Sequence, residues 1–80
     1  MTISEAVVER IHTLCKERNT TINKISNISG VTQSTISDIV NHVTGNAGIA
    51  TIKKLCDGFE ISIRDFFNDD LFDDLEQEVR

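Results

Sequence analysis

The polar side chains between Thr32 and Asn41 offer the clearest chemistry in this chain. If Ile36 points inward, steps of 100° per residue place Ile39 and Val40 on the same side of a helix. The opposite side carries short polar residues: Ser34, Ser37, Asp38 and Asn41. This face offers hydrogen-bond donors and acceptors without an apolar side chain among them.

Such a face suits the edges of DNA bases. A helix fits the major groove of B-DNA, where short polar side chains reach the base edges. Gln33 can form two hydrogen bonds with adenine, while Ser34 and Thr35 can donate to or accept from any base. The Thr35 methyl group can also touch a thymine methyl group. These three residues are therefore candidates for reading bases.

Catalytic and metal-binding patterns are missing from the sequence. It has no Ser-His-Asp set with a supporting spacing, no Gly-rich phosphate loop and no HExxH. The acidic run from Asp69 to Asp74 has no nearby histidine and is typical of a solvated face. Cys15 and Cys56 indicate two reduced core thiols, with a disulfide or a metal pair as the alternative. We expect no enzymatic activity, no cofactor and no metal.

Two short helices joined by a tight turn would position the polar face. The first has apolar residues at Ile22, Ile25 and Ile28, and the second at Val31, Ile36, Ile39 and Val40. Gly30 suits a turn with positive φ, and Thr32 can cap the second helix, as Thr21 can cap the first. Ser26 is small where the two helices would cross.

At this spacing of Ser26, Gly30, Val31, Ile36 and Ile39, the stretch resembles the helix-turn-helix of the Xre type. This is the family of the Cro and phage-repressor proteins, and the resemblance covers most of the chain. It implies an all-α fold, a compact bundle of five helices, with room for a short sixth helix at the C-terminal end. It also implies groove-facing positions for Thr32, Gln33, Ser34, Ser37 and Asp38.

The resemblance implies backbone contacts as well. Thr21 and Asn23 would lie where a helix N-terminus meets a phosphate. Asn41, His42, Thr44 and Asn46 would follow the DNA backbone beyond the third helix. The chain departs from the family pattern at Glu60, where a helix-ending Gly is frequent. Asp38 would repel phosphate unless it accepts a hydrogen bond from cytosine N4.

The remaining helices follow from caps and apolar spacing. A capping box at Thr2 and Glu5 opens a helix to about Arg18. Its predicted inward residues are Ile3, Val7, Ile11, Leu14 and Cys15. The residues 42–48 hold two Gly and predict a loop, from which Val43 could turn back into the core.

Two further helices follow this loop. The first is predicted from Ile49 to about Phe59, and a short one opens at Ser62. The predicted inward residues are Ile49, Ile52, Leu55, Cys56, Phe59, Ile63, Phe66 and Phe67. Lys53 and Lys54 are expected on the outside.

Charge divides the chain. The formal net charge is −5, yet residues 1–54 hold six basic and four acidic residues, whereas 55–80 hold two basic and nine acidic ones. We therefore predict a DNA-binding domain at 1–67 and, at 68–80, an acidic tail or short dimerisation helix. The tail's apolar residues are Leu71, Phe72, Leu75 and Val79. A frayed tail, or an electrostatic brake on non-specific binding, is the alternative.

These observations predict a sequence-specific regulator of transcription, of the repressor kind. It would bind double-stranded DNA as a homodimer, with the third helix of each protomer in the major groove. The alternative is a protein-interaction module, such as an antitoxin or anti-repressor that uses the acidic tail. The sequence has no apolar run long enough to cross a membrane and no signal peptide, so we expect a cytoplasmic protein without membrane contact.

Overall fold

A computed structural model describes residues 1–41 and 47–79 of the chain. In these ranges all regular structure is helical, which confirms the predicted all-α bundle of five helices. The helices are α1 (Ile3–Glu17), α2 (Ile22–Ser29), α3 (Gln33–Val40), α4 (Ile49–Phe59) and α5 (Ile63–Phe67), followed by a 3₁₀ turn (Asp70–Phe72). No described helix is both long enough and apolar enough to pass through a bilayer.

Side-chain caps open four of these α-helices. The hydroxyls of Thr2, Thr21, Thr32 and Ser62 each accept the backbone N–H three residues later. At Thr2 the capping box is complete, because Glu5 Oε1 accepts the Thr2 N–H at 2.8 Å. Each cap supplies an acceptor to a helix end that otherwise has unpaired donors. The predicted starts of α1, α2, α3 and α5 are therefore confirmed.

Left-handed residues end three of the α-helices. Gly30 has φ 71° after α2, as predicted, while Asn19 (φ 53°) and Glu60 (φ 61°) do the same after α1 and α4. In each case the next N–H reaches back to a carbonyl five residues earlier, as from Val31 to Ser26 at 3.1 Å. At Glu60 this conformation costs about 1–2 kcal/mol, because a Cβ disfavours it. The helix end thus forms without the glycine common in the family.

The core is built from every α-helix. Its completely or almost completely buried side chains include Ile11, Leu14, Ile36, Leu55, Cys56 and Phe66. Both cysteines are free and buried, which confirms their predicted place in the core. Burial raises the pKa of the Cys15 and Cys56 thiols.

Two isoleucines of the helices are on the surface, and one of them, Ile49, is predicted to point inward. Ile28 is 70% exposed, because the buried stripe of α2 runs through Ile22, Ile25, Ser26 and Ser29, and Ile28 lies to one side of it. Ile49 is 66% exposed. It is the first residue of α4, and helical side chains lean toward the N-terminus, so it leans past the end of the helix.

Arg10 is a buried cation that links α1 to α5. Its Nε donates to the Phe66 carbonyl at 2.8 Å and its Nη2 to the Asp65 carbonyl at 2.9 Å. Its Nη1 forms an ion pair with Asp69 Oδ2 at 3.2 Å. The guanidinium thus donates hydrogen bonds to two carbonyl groups near the end of α5. Its ion pair also holds Asp69, near the start of the acidic segment.

The acidic C-terminal segment folds back on the domain. Where a sixth helix was foreseen, the chain makes a single 3₁₀ turn at Asp70–Phe72, and no helix follows it as far as Val79. The Phe72 ring packs edge-on against Phe67, with 4.9 Å between ring centres. The Glu76 N–H donates to the Met1 carbonyl at 3.1 Å. Phe72 therefore packs against the core of its own chain. Dimerisation through this segment stays a prediction.

Candidate nucleic-acid interface

The turn between α2 and α3 fixes the direction in which α3 projects. Gly30 takes the left-handed conformation, and Val31 then enters the core with 7% of its surface exposed. The buried Ser26 hydroxyl donates to the Val31 carbonyl, so a side chain of α2 braces the turn. The small residue, the glycine and the apolar residue thus have the structural roles that the sequence predicted.

Helix α4 packs closely against the end of α2, just before the turn. Gly58 faces the last residue of α2, and a Cβ at this position would lie 2.0 Å from Ser29 Oγ. A larger residue would require the Ser29 hydroxyl to move, because the two helices are close at this point. A glycine inside an apolar helix pattern is the sequence signal that could have pointed to this contact.

Thr32 organises the first turn of α3. Its hydroxyl accepts the Thr35 N–H at 3.2 Å and donates to Thr35 Oγ1 at 2.9 Å. Its oxygen also lies 3.4 Å from Ser34 Oγ. Thr32 is thus the helix cap, and its hydroxyl orients Thr35, whose own hydroxyl donates to no acceptor within residues 1–41 and 47–79.

The outer face of α3 brings together most of the predicted base-reading residues. Gln33, Ser34, Thr35 and Ser37 are exposed, and Asp38 is half-buried, while Asn41, a predicted backbone contact, is exposed just after the helix. Beneath this face Ile36 and Ile39 are buried in the core. Asn41 Nδ2 donates to Ser37 Oγ at 3.1 Å, one helical turn away. Contact of these residues with DNA stays a prediction.

The start of α2 presents the second predicted group. Thr21 is exposed, and its hydroxyl accepts the Lys24 N–H at 3.2 Å. Asn23 and Lys24 are also exposed in this first turn. A helix N-terminus with a neighbouring cation suits a phosphate. The other predicted backbone residues, His42, Thr44 and Asn46, lie outside the described residues, as does Val43.

Few charges accompany these polar groups. Lys53 pairs with Asp57 on the exposed side of α4. Lys54 and Arg18 are exposed, and neither has an ion pair within the described ranges. The acidic segment packs on α1 and α5 through Arg10, Phe66 and Phe67. We therefore expect a modest electrostatic attraction to phosphates.

A five-helix bundle with a capped, polar α3 after a glycine turn defines the class of helix-turn-helix domains. The helix-turn-helix family model matches residues 11–66, and the chain belongs to this family, in its Xre and Cro branch. The protein is thus a DNA-binding helix-turn-helix regulator.

A solved structure supports this assignment. The chain is similar to the protein in "Crystal structure of the prophage Lp1 protein 11", with 31% sequence identity and a TM-score of 0.83. The alignment covers 94% of this chain and 99% of that chain. A comparison with curated proteins finds no match.

Proposed function

We propose that this protein is a sequence-specific repressor of transcription that binds double-stranded DNA as a homodimer, with α3 of each protomer in a major groove. The observation that carries the proposal is the outer face of α3. It presents exposed polar side chains, while Ile36 and Ile39 anchor its inner face in the core. A rigidly capped helix with this surface meets the requirements of direct readout.

Each group at the interface has a distinct role. Gln33, in the first turn of α3, pairs with an adenine through two hydrogen bonds. Asp38 is half-buried and can only accept, so it suits the N4 amino group of cytosine. The α2 N-terminus, with Thr21, Asn23 and Lys24, binds a phosphate and sets the register.

The length of α3 argues for two copies. An eight-residue helix is about 12 Å long and spans three to four base pairs of ~3.4 Å each. So short a site recurs throughout any genome. Two protomers whose α3 helices lie about 34 Å apart would read two half-sites and multiply the discrimination.

Selection from a random duplex pool, followed by fluorescence titration of the selected site, tests the proposal. We expect the selected duplex to bind at least about 10³-fold more tightly than random DNA. A Gln33→Ala, Ser37→Ala double variant should lose this preference, whereas His12→Ala, an exposed change on α1, should keep it. Equal affinity for selected and random DNA would refute sequence-specific binding.

A reporter assay tests the direction of regulation. With the selected site placed over a promoter, the protein should lower transcription, because it would cover the polymerase's own contacts. Increased transcription from the same promoter would contradict the repressor assignment. The Gln33→Ala, Ser37→Ala variant serves as the control for occupancy.

Dimerisation can be tested without disturbing the fold. Truncation after Asn68 would also remove Asp69 and Phe72, which hold the domain together. Leu75→Ser with Val79→Ser is sharper, because Leu75 is half-buried and Val79 is 84% exposed. If the segment dimerises, sedimentation should show a monomer with weaker operator binding. An unchanged dimer would refute this role for the segment.

A separate variant tests the alternative that the acidic segment is an electrostatic brake on non-specific binding. Asp73→Asn with Asp74→Asn removes two exposed charges and keeps the apolar residues. A brake predicts tighter binding to random DNA with an unchanged oligomeric state. Unchanged random binding at low salt would exclude the brake.

A protein-interaction module is the second candidate. The scarcity of unpaired cations near α3 and the exposed carboxylates after Asn68 favour it. Such a module would show no binding to any duplex at low salt, where even weak electrostatic attraction is detectable. The random-pool titration therefore separates the two candidates directly.

A further inference from the structure

A hydrogen-bonded pair on the exposed face of α3 governs how the Ser37 hydroxyl can be used. Asn41 Nδ2 donates to Ser37 Oγ at 3.1 Å, and both residues are exposed. A hydroxyl has one hydrogen and two lone pairs, so this bond takes one lone pair and leaves the hydrogen and the second lone pair. No acceptor among the described residues takes that hydrogen. The Thr13 hydroxyl on α1 differs, because it donates to the Glu9 carbonyl at 3.0 Å.

We propose that Asn41 holds Ser37 as a hydrogen-bond donor, and that the protein therefore discriminates against cytosine at the base that Ser37 faces. In the major groove guanine offers N7 and O6, adenine N7 and thymine O4 as acceptors. Cytosine offers only the N4 amino group, which is a donor. The inference rests on the proposed function, because it assigns a base preference within the same α3 interface.

Cooperativity strengthens this polarity. A hydroxyl that accepts a hydrogen bond becomes a better donor and a weaker acceptor for a second bond, since the first bond polarises the O–H group. The neighbouring Asp38 carboxylate has the opposite character and can only accept. Ser37 is thus the specificity-determining residue for an acceptor base, and Asn41 is the positioning residue that sets its polarity.

Asn41→Asp reverses the pair. A carboxylate at this position would accept the Ser37 hydrogen, so the hydroxyl would present only lone pairs to the DNA. A base with an amino group, cytosine or adenine, would then be preferred. The new charge would also weaken binding overall, so Asn68→Asp, an exposed change beside the acidic segment, is the matched control.

The experiment compares base profiles from selection on a random duplex pool, followed by competition among four duplexes that differ at one base. Ser37→Ala identifies this base as the position where its profile becomes level. In the unaltered protein cytosine should bind most weakly there, by roughly three- to tenfold, the factor of one net hydrogen bond. Asn41→Asp should raise cytosine or adenine to the top, and Asn68→Asp should keep the original order. Asn41→Ala should reduce the preference without adding charge.

The outcomes are separable. If Asn41→Asp and Asn41→Ala weaken all four duplexes equally and keep their order, Asn41 is a phosphate contact and the inference is overturned. If the Ser37→Ala profile equals that of the unaltered protein at every base, Ser37 reads none and the inference also fails. An unaltered protein without any preferred sequence would overturn the proposed function first. Circular dichroism of each variant checks that the fold is intact.

Discussion

Replacing Arg10 by methionine should destabilise the domain by about 3–5 kcal/mol. Methionine keeps an apolar stem of similar length but removes all three donor groups. The carbonyls of Phe66 and Asp65 and the carboxylate of Asp69 would each lose the hydrogen bond from the guanidinium, although Asp65 keeps the Asn68 N–H and Asp69 keeps the Leu71 N–H. Hydrogen bonds to charged groups contribute about 1.5–3 kcal/mol each, and breaking a buried ion pair costs about 3–5 kcal/mol. For a domain of this length, stable by roughly 4–12 kcal/mol, this is about a quarter or more of the total.

Urea unfolding followed by circular dichroism measures this loss. With a slope of roughly 1–2 kcal/mol per molar urea, the midpoint should fall by about 1.5–5 M at an unchanged slope. Arg10→Lys should lose most of the same stability, because one ammonium group cannot serve acceptors on three residues in the fork geometry. Arg18→Met is the matched control, since Arg18 is exposed, and it should stay within about 0.5 kcal/mol.

A double-mutant cycle decides whether the guanidinium acts through the contacts described. Arg10→Met and Asp69→Asn should cost less together than the sum of their separate effects, because they share one ion pair at 3.2 Å. Strict additivity would show that Asp69 takes no part. A loss below about 1 kcal/mol for Arg10→Met would refute the idea that Arg10 holds the end of α5.

Three further predictions concern the turn, the readout and the charge. Gly30→Val should cost about 1–3 kcal/mol or more in thermal unfolding, because φ is 71°. No atom lies within 4 Å of an added Cβ, so Gly30→Asn should be tolerated, and equal losses for both would contradict a backbone cause. Gln33→Ala should lower affinity for the preferred site by about 1–3 kcal/mol and barely change random binding; equal losses would show that Gln33 reads no base. The slope of log K against log salt should be roughly −2 to −4 per protomer, and a slope near −8 would place more cations at the interface than the exposed Arg18, Lys24 and Lys54 supply.

Local chemistry explains what the sequence could predict. Each side-chain cap sits three residues before the N–H that it binds, so Thr2, Thr21, Thr32 and Ser62 were readable from the sequence. The helical period of 3.6 residues was enough to predict the inner face of α3. These features depend on residues that are close together in the chain, so the sequence alone is enough to predict them.

What the sequence could not predict depends on distant residues. Arg10 lies on the apolar stripe of α1, but its partners are 55 to 59 residues away. The apolar spacing of α2 includes Ile28, yet it is Ser29 that faces α4. The close approach of Gly58 on α4 to Ser29 determines which of the two faces inward, and the sequence does not show this contact. The apolar spacing of the C-terminal segment resembled a helix, yet Phe72 packs on Phe66 and Phe67 and the chain turns after it. Tertiary packing overrode the local pattern in each case.

The weak positive charge of the interface has a consequence for how a regulator of this kind would work. Phosphate contacts supply most of non-specific binding, whereas base contacts supply discrimination. Lys53 forms an ion pair with Asp57, and the carboxylates after Asn68 repel the DNA phosphates. The affinity for non-specific DNA should therefore be low. If the hydrogen bonds from α3 are retained, the ratio of specific to non-specific binding stays high even though the absolute affinity is modest. Mutations on α3 that remove base contacts should therefore leave little binding to DNA, because few phosphate contacts would hold the altered protein on the duplex.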